Sequence, residues 1–130
     1  MAAAPAYAAT PVAWTGLVPA TADTSWTAPT NVTALGSAGA SGTKITQVDV
    51  IPAGTVVAGL VNLFLYDGTT YHLHESVTIP AYTSSTTAGP VKQSFTYDNL
   101  VLPTGWSLRV TTTVAGNVSL VEVNAYGASL

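Results

Sequence analysis

Residues 56–79 read Val56-Val57-Ala58-Gly59-Leu60-Val61-Asn62-Leu63-Phe64-Leu65-Tyr66-Asp67-Gly68-Thr69-Thr70-Tyr71-His72-Leu73-His74-Glu75-Ser76-Val77-Thr78-Ile79. The second half alternates. Tyr71, Leu73, Glu75, Val77 and Ile79 make a mainly apolar row and His72, His74, Ser76 and Thr78 a polar one, the period of a half-buried strand. The first half is apolar on both faces, with Val57, Val61, Leu63 and Leu65 on one and Val56, Leu60 and Phe64 on the other. Such a strand is covered twice, and its second cover is expected from the amino-terminal arm or another subunit. Asp67-Gly68 joins the halves as a hairpin turn, because glycine tolerates positive φ and aspartate bonds to nearby backbone.

Outward from this hairpin the same chemistry repeats. Trp106, Leu108 and Val110 alternate with Ser107, Arg109 and Thr111, and Val91, Phe95 and Tyr97 with Lys92, Ser94 and Thr96. Chain breakers recur roughly every ten residues, as in an all-β sandwich. Strands are expected near 31–35, 43–51, 55–66, 70–79, 91–97, 106–114 and 118–126. Pro52-Ala53-Gly54 reads as a turn, and Gly116-Asn117 as a hairpin joining the last two strands. A slip of alternation between Val118/Leu120 and Val121/Val123 predicts a bulge. No long segment repeats its apolar residues at helical spacing. The predicted class is all-β: an antiparallel, jelly-roll-like β-sandwich over 43–130, preceded by an extended arm.

That arm, residues 1–42, is rich in Ala, Pro and Thr, and Gly36–Gly42 reads as a hinge. Prolines 5, 11, 19 and 29 each remove a backbone donor and oppose long pairing. Yet the arm carries Tyr7, Trp14, Leu17 and Trp26, apolar groups that suit interface anchors. Three readings stay open: the arm folds onto its own domain, docks on a neighbour, or is disordered.

Composition narrows the function. Of 130 residues 48% are hydrophobic and 7% charged, three basic against six acidic, so no patch exists to neutralise a nucleic-acid backbone. Cysteine is absent, which removes thiol nucleophiles, disulfides and thiolate metal sites. The opening has no basic n-region, so no cleaved leader is expected, and the longest apolar stretch is too short to span a bilayer as a helix.

His72 and His74 are the only histidines, and on a regular strand they share a face roughly 7 Å apart. They could give a metal two ligands, but no third histidine or cysteine completes a familiar set. Hydrogen-bonded surface or interface histidines are the plainer reading. A cupin-like metal site would also need a second histidine motif, which is missing. Glu75 and Glu122 could form a catalytic pair only if the fold brought them together. No nucleophile elbow or phosphate loop occurs. Tyr82, in the Thr- and Ser-rich loop 81–90, is an exposed aromatic candidate, and the tryptophans admit a sugar- or receptor-binding alternative.

Gly42-Thr43-Lys44-Ile45-Thr46 through Pro52-Ala53-Gly54-Thr55, then Val61-Asn62-Leu63-Phe64-Leu65-Tyr66-Asp67-Gly68, resembles a small head decoration (cement) protein of tailed bacteriophages. The resemblance runs on through Tyr71–Ile79 and the carboxyl-terminal strands. It implies a non-enzymatic jelly-roll-like protein without cofactor, often a homotrimer, that binds the major capsid protein on the outer surface of an icosahedral virion and stabilises the shell. A tail or head-fibre attachment module is the alternative within the virion. No site residue is transferred by the resemblance.

Overall fold

The computed structural model describes residues 10–130. Eight strands follow one another: β1 (Thr10–Leu17), β2 (Thr33–Ser37), β3 (Thr43–Pro52), β4 (Gly59–Tyr66), β5 (Tyr71–Ile79), β6 (Gln93–Leu102), β7 (Ser107–Thr112) and β8 (Val121–Ser129), with one 3-10 turn at Ala115–Asn117. They form two four-stranded antiparallel sheets, ordered β1-β8-β3-β6 and β2-β7-β4-β5. The strongest alternation in the sequence explains the core between them. Val61 and Leu63 of β4, Leu108 and Val110 of β7, Val48 and Val50 of β3, and Val121 and Val123 of β8 are fully buried in one cluster spanning both sheets. Burying each such side chain contributes about 1.5–3 kcal/mol.

The register corrects the reading of β4. Val61 and Leu63 face the opposite sheet and Leu65 packs against the same core, so their cover is internal and needs no partner. Val57 precedes the strand and is exposed. The other face holds Asn62, Phe64 and Tyr66. Phe64 is buried there, with Tyr71 set edge-on to its ring at 5.8 Å.

Residues 10–42 are not an extended arm. β1 lies along β8 from Thr10–Ser129 to Leu17–Glu122, and β2 along β7. Prolines did not prevent this because β1 is an edge strand, where half of the amides face away from the only neighbour. The strands therefore cross the expected boundary at residue 42, and the described chain is one sandwich. Trp14 packs against the core over Gly36, where a Cβ would lie 2.3 Å from the indole ring. Tyr7 lies outside the described residues.

Two further expectations differ. β7 and β8 belong to different sheets, so Gly116-Asn117 sits in a crossover rather than a hairpin. The slip of alternation near Val118 is that crossover, with Ser119 at φ 56°, and β8 begins cleanly with Val121, Val123 and Ala125 inward. Register shifts lie elsewhere: in β2 between Ala34 and Gly36, in β3 between Ile45 and Gln47, and in β5, where pairing steps from Leu63–Glu75 to Phe64–Leu73 and leaves His74 as the extra residue.

Candidate functional site

Antiparallel pairing sorts the connections between the two ends of the sandwich. Links 38–42, 67–70 and 103–106 close one end with tight turns. Links 18–32, 53–58, 80–92 and 113–120 gather at the other. Loops carried on a rigid scaffold are where recognition concentrates, and here they are joined to one another. Val56 and Tyr82 exchange backbone hydrogen bonds, the Ser119 amide donates to the Pro19 carbonyl, and the Ala53 amide to that of Leu120. Buried Asn117 latches 113–120 to 53–58: its Oδ1 accepts from the Val57 amide and its Nδ2 donates to the Val57 carbonyl, both at 2.8 Å.

The tip of 18–32 is built by Asp23. Its carboxylate accepts from the amides of Ser25, Thr30 and Asn31 at 3.0, 2.8 and 3.0 Å, and Ser25 Oγ accepts from the Ala28 amide at 2.9 Å. These amides, that of Asn31 foremost, hold the Asp23 carboxyl below its ordinary value. The result is a fixed platform for Trp26, which is 51% exposed. Val57 at 49%, Val91 at 75% and Leu17 at 40% belong to the same end.

The four links carry only two charged residues, Asp23 and Lys92. Asp23 is consumed by its own turn, and Lys92 Nζ lies 3.7 Å from Asp49 Oδ2. The four loops thus present a nearly uncharged surface of Ser, Thr and Ala with exposed Trp26, Val57 and Val91, and Glu122, in register with Leu17, stands beside them. Beside it lies a shallow cleft of about 190 Å³ lined by residues including Pro52, Gly54, Tyr82, Ser85 and Pro90. Tyr82 is a brace for 80–92 rather than a free platform: it packs against the core and its hydroxyl donates to the Ala88 carbonyl at 2.6 Å.

The two histidines have separate neighbours. His72 stacks on Trp106 with ring centroids 5.8 Å apart, and its Nε2 lies 3.0 Å from Asp67 Oδ2. His74 lies against the Tyr97 ring at 5.0 Å, and its Nε2 is buried without a hydrogen-bond partner. The Tyr97 hydroxyl donates to Glu75 at 3.3 Å; burial, followed by the Glu75 charge, pushes that phenol upward. Glu75 and Glu122 stand in different sheets. Among the described residues no group of three or more His, Asp or Glu side chains is placed to hold a metal ion.

Of the residues singled out from the sequence, Leu17, Trp26 and Val57 stand exposed at the same end of the sandwich, while Trp14, Val61, Leu63 and Leu65 serve the core. Val91 was missed because alternation assigned it inward; it lies before β6 begins. The scarcity of charge in 18–32, 53–58, 80–92 and 113–120 was the available signal. No family model, curated protein or solved structure matches the chain.

Proposed function

We propose that this chain is a non-enzymatic decoration protein of an icosahedral phage head, a jelly roll that docks on the capsid through its four-loop end. The jelly-roll reading is supported by nested pairing, β1 with β8, β2 with β7, β3 with β6 and β4 with β5, as when one long hairpin is rolled into two sheets. The observation that carries the docking role is the fixed, almost charge-free loop surface with Trp26, Val57 and Val91 exposed. Aromatic anchors on a preorganised loop bind protein with little ordering entropy, and repetition of a modest contact over a shell multiplies it. The major capsid protein is the partner and a homotrimer the assembly unit.

The test adds purified protein to mature, undecorated heads and images them. Ordered density with residues 18–32 and 80–92 toward the shell is expected, together with binding that survives a rise in salt, since few ion pairs are involved. Replacing both Trp26→Ala and Val91→Ser should weaken attachment at least tenfold, which is about 1.4 kcal/mol. Absence of ordered density, or attachment abolished by salt, overturns the proposal. Reproducible glycan capture lost with Trp26→Ala would instead favour the sugar-binding alternative.

A further inference from the structure

Arg109 is the only arginine in a chain with six carboxylates, yet none of them pairs with it among the described residues. It stands on the outer face of β2-β7-β4-β5, beside Phe64 in the register and away from the loop end. Its guanidinium lies over the Tyr66 ring, 4.2 Å from the centroid, and 5.9 Å from that of Tyr71. The rings are themselves in contact at 4.3 Å. Nε donates to Ser107 Oγ at 3.0 Å and Nη1 to the Tyr71 hydroxyl at 3.1 Å. The Tyr66 hydroxyl is tied to the Gly68 carbonyl at 3.0 Å, which fixes the ring beneath the cation.

A partly buried cation in an acidic protein ordinarily finds an internal counter-ion. Here the two nearest acids along β4 and β5 are engaged elsewhere. Asp67 accepts from the Thr69 and Thr70 amides through Oδ1 and faces His72 through Oδ2. Glu75 pairs in register with core residue Leu63 and accepts from Tyr97, which puts it on the inner face. Nη2 has no hydrogen bond within the described protein and is not among its buried unpartnered atoms. The guanidinium is thereby oriented by two neutral hydroxyls, set over an aromatic ring and left with one open edge.

We infer that Arg109, Tyr66 and Tyr71 form a binding site for a carboxylate carried on a ligand with an apolar or sugar-ring flank. The open guanidinium edge takes the carboxylate oxygens, and the tyrosine pair with half-exposed Leu73 takes the flank. Neutral hydroxyl partners leave the full positive charge available. The shared chemistry can come from an acidic sugar or from a glutamate side chain of another protein, and the test separates them.

The full chain, labelled for nuclear magnetic resonance, is titrated with glucuronate, with N-acetylglutamic acid α-amide and with neutral methyl glucoside. Saturable shifts at the Arg109 Nε–H and the Tyr66, Tyr71 and Leu73 amides are expected at millimolar concentrations of a carboxylate and not with the glucoside. Tighter binding of glucuronate identifies a sugar acid, and tighter binding of the glutamate derivative identifies a protein side chain. Arg109→Gln should weaken binding at least tenfold, and Arg109→Lys nearly as much, because an ammonium lacks the planar fork. Tyr71→Phe, which removes only one oriented hydroxyl, should weaken it several-fold and serves if Arg109→Gln fails to fold. No saturable shift with either carboxylate, an equal response to the glucoside, or undiminished binding in a folded Arg109→Gln or Tyr71→Phe protein overturns the inference.

Discussion

The two ends of the sandwich differ in how their connections are built. The turn end is closed by three short links, each with one glycine in the left-handed region: Gly42, Gly68 and Gly105 take φ of 89°, 98° and 86°. Backbone bonds there join Ala38 to Trp106 and Leu130 to Gly42. At the loop end side chains contribute the latches, Asn117 bridging two crossovers and Asp23 gathering three amides. Turns built from backbone geometry leave little room for new sequence. Loops fastened at a few side chains let the residues between them vary, and that is the end on which Trp26, Val57 and Val91 are displayed.

The largest break in this contrast should come from Gly127→Ala. A Cβ at 127 would meet the Lys44 carbonyl oxygen at 1.9 Å, so β3 and β8 would have to part near the turn end. A loss of about 3 kcal/mol is expected in denaturant unfolding. Asn117→Ala should follow, at about 2 kcal/mol, since it leaves the Val57 amide and carbonyl without partners. Hydrogen exchange should localise that loss to 53–58 and 113–120; uniform weakening would argue against a loop-end latch.

A smaller effect concerns acid. Backbone bonds from Thr70, then the His72 contact and the Thr69 amide, draw the Asp67 carboxyl down to about 2. Its folded value lies below its unfolded one, so its stabilisation is complete above the ordinary carboxylate range and is lost as pH falls through about 2. Exchange of the Thr69 and Thr70 amides should quicken across that window while Asn117-linked amides change less. The smallest stability effect is expected for Trp26→Ala, within about 0.5 kcal/mol, because an exposed tip contributes little to the core. A drop of several degrees in its melting midpoint would mean that Trp26 is structural and not displayed.

Period-two alternation made most strands legible, and β3 to β8 fall close to where Val, Ile and Leu recur. β1 was hidden because Pro11 and small residues obscure it, and an edge strand needs only one amide row and one packed side chain, Trp14. The faces of β4 were legible as two apolar rows, but nothing in the row itself says which meets the opposite sheet. Alternation carries Tyr71 and Leu73 in one row with Glu75, Val77 and Ile79 because one inserted residue in β5 is invisible to it; pairing sets Tyr71 and Leu73 beside Tyr66 and Phe64 on the outer face and Glu75 beside Leu63 on the inner one. At the loop end, Leu17, Trp26 and Val57 were legible as exposed candidates, whereas their placement at one end depends on crossovers that only the topology reveals. The Arg109 site depends on where six carboxylates point, which spacing cannot tell.

The nesting of strand pairs also sets an order in time. The β4–β5 hairpin closes across the shortest loop, and each pair outside it joins segments farther apart in the chain, ending with Thr10 beside Ser129. Closure of distant segments carries a growing entropic cost, so folding should start at Asp67 and spread outward. β8 lies between β1 and β3, and a ribosome must release residues 121–129 before that sheet can be completed.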